Sequence, residues 1–168
     1  MVSKALSSNG ETLLPRWPRR LPKLTGDEQS EPIYQIPKTT KENVEDFKVQ
    51  SAKFRGKPQA KIYIIDQKQR IIRAEDNEVY GSLEDLATEL PESSPRFVFL
   101  HCPVTLRDGR KTERFVLVYW LPENCNPTQR MSYAAMVNDF KGTFNVGRVF
   151  EVENADGIRG IADRIAAY

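Results

Sequence analysis

Arg114-Phe-Val-Leu-Val-Tyr-Trp-Leu121 is apolar at every position after its first. A strand sends successive side chains to opposite faces, so this run needs cover on both sides. Lys61-Ile-Tyr-Ile-Ile-Asp66 has the same character and reads as a second central strand. A turn at Gln67-Lys68 returns it through Arg70-Ile-Ile-Arg73. Residues 97–102 pair with 113–121 as a long-armed hairpin, because the connection 104–112 contains the turn dipeptide Asp108-Gly109.

Helical segments separate these strands. Residues 33–36 are a short apolar entry to a first helix, which Thr39 or Thr40 caps and whose inward face carries Val44 and Phe47. Residues 51–59 hold Gly56 and Pro58 and read as a loop. Residues 83–90 form a helix capped by Ser82, with Asp85 completing a capping box, a stripe of Leu83, Leu86, Ala87 and Leu90, and Pro91 as its stop. Residues 147–152 are a last strand, and 155–167 a closing helix with Ile158, Ile161, Ala162 and Ile165 inward. The class is α/β (α+β), a central mixed β-sheet sandwiched between helices.

The longest helix spans 126–141, with Asn126 as cap, Pro127 at the first helical position and Gln129 at the return position of a capping box. At about 100° per residue, Tyr133, Met136, Val137 and Phe140 converge on one face, the core face. Met131 then points almost the opposite way, beside Arg130, Ala135 and Asn138. A docking ridge fits that pattern. So does a single scattered exposed apolar residue of the ordinary kind.

Composition narrows the function classes. At 168 residues the chain suits one domain with a sizeable core, plus a tail. The Ser-, Pro- and charge-rich residues 1–32 are expected to be a disordered N-terminal tail, and 33–168 the domain. Within the tail, residues 14–22 (Leu-Pro-Arg-Trp-Pro-Arg-Arg-Leu-Pro) match a polyproline-type ligand, but a disordered extension without a specific partner is the favoured reading. Asn9, Gly10 and Glu11 interrupt any secretory apolar core, and Pro15, Pro18 and Pro22 oppose the amphipathic helix of a mitochondrial presequence. A net charge of +2 argues against nucleic acid and anionic membranes as partners, despite basic clusters at 16–23 and 107–114.

Catalytic chemistry finds no foothold. His101 is the single histidine, and its neighbour Cys102 projects to the opposite strand face, so the two form no nucleophile–base pair. Cys102 and Cys125 have no metal-ligand spacing and no disulfide framework. Gly157 and Gly160 lack the strand–loop pattern of a phosphate loop, and Glu75, Asp76 and Glu78 read as a solvated turn. No catalytic residue, metal or cofactor is expected.

Several stretches together resemble the glia maturation factor family, especially its fungal members, within the actin-depolymerising factor homology fold. They are Lys61-Ile-Tyr-Ile-Ile-Asp66, residues 83–98 ending Leu90-Pro-Glu-Ser-Ser-Pro-Arg-Phe-Val98, Asp108-Gly-Arg110, Val116-Leu-Val-Tyr119 and Arg130-Met-Ser-Tyr-Ala134. The similarity runs from about Ile33 to the end of the chain. It implies a non-enzymatic monomer that binds the actin-related protein 2/3 complex, inhibits branch nucleation and promotes debranching, with actin itself as a second candidate partner. Cofilin-like filament severing is the alternative reading, and a sheet-based nucleic-acid module the alternative of another class. The implied location is the cytoplasm, at the actin cytoskeleton and its cortical patches, with the nucleus as a second compartment.

In such proteins the long helix enters the cleft of an actin fold. Carried over to this chain, Arg130 supplies the charge-assisted contact and Met131 an adaptable apolar plug. Ala134 and Ala135 keep the helix surface low, Asn138 continues the same partner-binding face, Ile33, Tyr34, Gln35 and Ile36 form an N-terminal arm, and Lys48 ends the first helix. Arg107, Asp108, Gly109, Arg110 and Lys111, with Arg159 and Asp163, form a second surface for a neighbouring subunit. Cofilin-like relatives place a basic residue two positions before the one matching Arg130. Thr128 stands there, which favours branch regulation over severing. Glu45 and Asp46 beside Lys48 are less basic than the family pattern.

Overall fold

The computed structural model is described over residues 33–168. The expected tail at 1–32, with its 14–22 motif, lies outside the described residues.

The elements in order are α1 (Lys38–Ser51), β1 (Gln59–Asp66), β2 (Ile71–Ala74), α2 (Leu83–Glu89), β3 (Arg96–Thr105), β4 (Lys111–Trp120), α3 (Pro127–Thr143), β5 (Val149–Val152), α4 (Ala155–Arg159) and α5 (Ile161–Ala166). The five strands form one sheet in the order β2-β1-β3-β4-β5. Neighbours are antiparallel except β4 and β5, which are parallel, with Leu117 opposite Val149 and Trp120 opposite Val152. A parallel pair cannot be closed by a tight turn, and α3 supplies the crossover.

Each sheet face carries its own core, as the doubly apolar strands require. On one face, Leu117, Tyr119 and Leu121 meet Tyr63, Phe97 and Phe99 beneath Val44 and Phe47 of α1 and Tyr133, Met136 and Phe140 of α3. On the other, Val116, Val118 and Trp120 meet Ile62, Val98 and Leu100 beneath Leu86 of α2, Ile158 of α4 and Ile161 and Ile165 of α5. The first core is aromatic: Phe140 stacks on Phe97 at 4.9 Å and meets Phe99 at 5.2 Å and Phe144 at 5.0 Å.

The sheet is larger than the apolar runs suggest. β3 extends to Thr105 and β4 begins at Lys111, because polar residues continue the ladder to Thr105 opposite Lys111. The turn then needs only the few residues around Gly109, which adopts φ +88° while its N–H donates to the carbonyl of Leu106 at 2.9 Å. Glycine takes that left-handed conformation without steric cost.

Two local expectations are corrected. Neither Thr39 nor Thr40 caps α1; Pro37 occupies the cap position, and the buried Thr40 hydroxyl instead donates to the carbonyl of Ile72 at 2.7 Å, tying α1 to the edge strand. The closing helix is two helices, broken at Gly160. Its inward positions nevertheless hold, since Ile158, Ile161 and Ile165 are fully buried and Ala162 packs against them. Gly157 permits the first of the two helices to approach β5, because a Cβ there would meet Val152 Cγ1 at 2.7 Å.

Candidate functional site: the outer face of α3

Asn126 begins α3 as the sequence predicts. Its side chain accepts from the backbone N–H of Thr128 at 2.7 Å and of Gln129 at 3.4 Å, and Pro127 fills the first helical position. The inward face is then fixed by burial of Tyr133, Met136 and Phe140. Tyr133 adds a directional tie, its hydroxyl accepting from the Ile65 N–H at 2.9 Å in the middle of the sheet. Burial pushes the Tyr133 phenol above its ordinary range, so it remains a neutral structural group at physiological pH.

The opposite face is the ridge. Met131, Ala134, Ala135 and Asn138 are all exposed, at the i, i+3, i+4, i+7 spacing of one helical stripe. Met131 is 73% exposed, the most exposed of the large apolar residues described. Two alanines behind it leave the backbone accessible to close approach. Thr128 is exposed one turn nearer the helix start.

Arg130 plays a different part from its neighbour. Its Nη2 donates to the carbonyls of Pro122 and Glu123, each at 3.3 Å, and the side chain is half-buried. Both bonds are at the long end of the normal range, so the clasp is weak enough to exchange for a partner carboxylate. In the unbound chain Arg130 therefore steadies the loop entering α3.

The predicted N-terminal arm divides. Tyr34 is buried, and its hydroxyl donates to Gln67 Oε1 at 2.8 Å and lies 3.1 Å from Ser132 Oγ on α3. Tyr34 thus positions the start of the ridge and does not present itself to a partner. Gln35 is exposed at its side chain while its backbone bridges the edge strand, donating to Arg70 and accepting from Ile72. Ile36 is half-buried against the aromatic core, and Ile33 is exposed. Ser132 escaped the sequence reading because its pairing with Tyr34 joins residues 98 positions apart.

Lys48 is committed internally. Its Nζ donates to the Phe144 carbonyl at 3.0 Å, pairs with Glu45 at 3.3 Å and lies 5.3 Å from the Phe115 ring centroid. Its position links the C-terminal ends of α1 and α3.

The residues of the expected second surface fall into two groups. Arg107, Asp108 and Arg110 line a shallow cleft with Ala166, Ala167 and Tyr168, while Gly109 and Lys111 are exposed around the same turn. Arg110 Nε donates to Asp108 Oδ2 at 2.7 Å, and the bonds from Arg110 hold the Asp108 carboxyl below its usual range. Asp163 is exposed on α5. Arg159 is elsewhere engaged, bonding Glu84 at 2.8 and 3.2 Å and Asp156 at 2.8 Å, so it ties α4 to α2.

That tie makes a pH prediction. The Arg159 bond holds the Glu84 carboxyl below its ordinary value. A depressed folded-state pKa contributes stability that is complete above the unfolded value and disappears as pH falls through the folded value. The stability difference between wild type and Glu84→Gln should therefore be constant near neutrality and vanish on acidification, measured by urea unfolding across the acid range. A difference independent of pH would show that this exposed pair contributes nothing.

The described residues contain no His/Cys/Asp/Glu group able to hold a metal ion. His101 lies 3.3 Å from Glu113, while Cys102 is buried in the other core, as strand alternation requires.

A single mixed sheet covered by helices on both faces, with an exposed methionine–alanine face on its longest helix, is the architecture these residues define. Residues 35–160 match the family described as cofilin/tropomyosin-type actin-binding protein. The chain belongs to that family, in its glia maturation factor branch. Glia maturation factor beta of Mus musculus and of Homo sapiens is 33% identical over 95 residues, covering 56% of this chain. The chain spans 66% of the length of those two relatives. Protein AIM7 of Saccharomyces cerevisiae is 31% identical over 130 residues, covering 75% of this chain and 80% of its own length. The solution structure of glia maturation factor from Caenorhabditis elegans superposes with a TM-score of 0.61 at 26% identity, covering 74% of this chain and 88% of that one. The expected actin-depolymerising factor homology fold is thereby established.

Proposed function

We propose that this protein regulates branched actin networks by binding the actin-related protein 2/3 complex without chemistry of its own, inhibiting nucleation of branches and releasing existing ones. The observation that carries this reading is the uninterrupted exposed stripe of Met131, Ala134, Ala135 and Asn138 on a rigidly anchored helix. A flexible thioether between small residues suits insertion into an apolar cleft of an actin fold. Arg130 then leaves its loop carbonyls for an acidic group of the partner. The tip at 107–111 contacts a neighbouring subunit, whereas Arg159 stays with α2 and α4. The protein acts as a monomer in the cytoplasm, at actin-rich structures.

Preference for the branch complex over actin filaments rests on Thr128, an uncharged residue on the exposed first turn of α3. Similarity to relatives named glia maturation factor supports the same preference. Imaging of preformed branches with purified components tests the proposal: branch lifetime should shorten as protein is added. Unchanged lifetime at saturation would overturn it, and cutting of unbranched filaments would support a cofilin-like activity in its place.

A further inference from the structure

Among the described residues, Lys61 is a buried lysine without a bonded counter-ion. It is the third residue of β1, opposite Phe99, and only 7% exposed, yet among the described residues it makes no hydrogen bond or ion pair. Lysine is almost never buried to that extent unless it is paired. Its side chain lines a cleft of about 420 Å³ between the C-terminal half of α1 and the loops flanking β1. That volume lies within the usual range for ligand pockets. Phe54 and Val79 stand on the cleft walls, 50% and 43% exposed, so the mouth is apolar on two sides.

We infer that this cleft is a docking site for a partner peptide carrying one carboxylate beside a large apolar side chain. Charge complementarity identifies the occupant. The loop on one side carries Lys53, Arg55 and Lys57, all exposed, and Lys61 forms a cationic floor. Asp46 lies on the α1 wall without an ion-pair partner among the described residues, and Asp76 and Glu78 precede Val79 in its loop. An acidic run would be repelled by those three carboxylates, whereas a single carboxylate reaches Lys61. Water solvates the ammonium in the open cleft; a peptide carboxylate replaces that water with a charge-assisted bond in a drier setting, where such bonds are strongest. The adjacent apolar side chain covers Phe54 and Val79. This site is independent of the α3 ridge: α1 reaches α3 through the Lys48 bond to Phe144, at the end of α3 opposite Met131.

The test titrates the full chain with the capped peptide acetyl-Gly-Glu-Phe-Leu-Gly-amide, its Glu-to-Gln counterpart, and sodium octanoate, reading backbone amide shifts. The acidic peptide should move the amides of Phe54, Lys61 and Val79 and leave Met131 unmoved. Replacing the peptide Glu with Gln, or Lys61→Met in the protein, should each weaken binding about tenfold or more, since each removes one charge from the same bond. Phe54→Ser, on an exposed loop, should weaken it severalfold with the fold unaltered. The inference is overturned if millimolar acidic peptide leaves those amides unmoved, if Gln and Glu peptides bind equally, or if octanoate saturates the cleft while the peptide does not.

Discussion

Phe140→Ala is expected to reduce the free energy of unfolding by about 3–5 kcal/mol, the usual cost of deleting a buried phenylalanine. The expectation belongs at the upper end of that range. Phe140 is wholly buried, stacks on Phe97 with an interplanar angle of 26°, and touches Tyr63, Phe99 and Phe144 within 5.9 Å. Four surrounding rings cannot all collapse into the vacated space, because α1, α3 and the sheet hold them from different sides. A small domain has only about 5–15 kcal/mol in total, so the variant should sit near its folding limit. Urea unfolding would register the change as a lower midpoint with little change in slope. A loss under about 1.5 kcal/mol would mean that this core repacks around the cavity far better than its geometry suggests.

Met131→Glu is expected to weaken partner binding at least thirtyfold, on the order of 2 kcal/mol or more, while leaving stability unchanged. The side chain is 73% exposed and borrows nothing from the core. Glutamate and methionine have similar helix propensities, so α3 itself should persist. In an apolar cleft, however, glutamate would bring an unpaired charge into a desolvated interface. Equilibrium binding to the purified branch complex and the debranching assay should both lose the effect, and the thermal midpoint should not move. Full activity in this variant would remove the ridge from the proposed interface. Changing Arg130 together with Met131 is less informative alone, because Arg130→Ala also frees the carbonyls of Pro122 and Glu123.

Much of this molecule was legible from its one-dimensional pattern, for reasons that differ between elements. The runs at 61–66 and 114–121 are apolar on both faces, which only a sheet covered twice can satisfy. Asn126 and Pro127 marked the start of α3, and a period of about 3.6 residues then separated Phe140 from Met131 without further information. Thr40 misled because a hydroxyl near a helix start is equally able to cap or to bond across to another element; here the carbonyl of Ile72 won. Gly160 lies inside the run 155–167 read as one helix; a glycine there costs only about 1 kcal/mol, and in the structure it leaves helical geometry to end the first helix and begin the second. The extra length of β3 and β4 was invisible because Thr105, Lys111 and Thr112 have no apolar signature.

The site was legible in outline and not in its internal couplings. Exposure of Met131 follows from helical period, but the partners of Arg130, Lys48 and Arg159 depend on where other elements arrive in space. The same holds for Tyr34, a nominal arm residue that is drawn inward by Gln67 and Ser132. Lys61 is the extreme case. A lysine within a central strand carries no sign of its surroundings, and here α1 and the flanking loops close over its stem.

The strand order has one further consequence. The sheet's two margins, β2 and β5, are four residues each, whereas the three inner strands run to eight and ten. One of those margins is further occupied by the backbone of Gln35. Long, flat margins are templates on which other chains add strands and begin to aggregate. Here the backbone left open at either side is too brief for such growth, so the large apolar interior is compatible with a high working concentration.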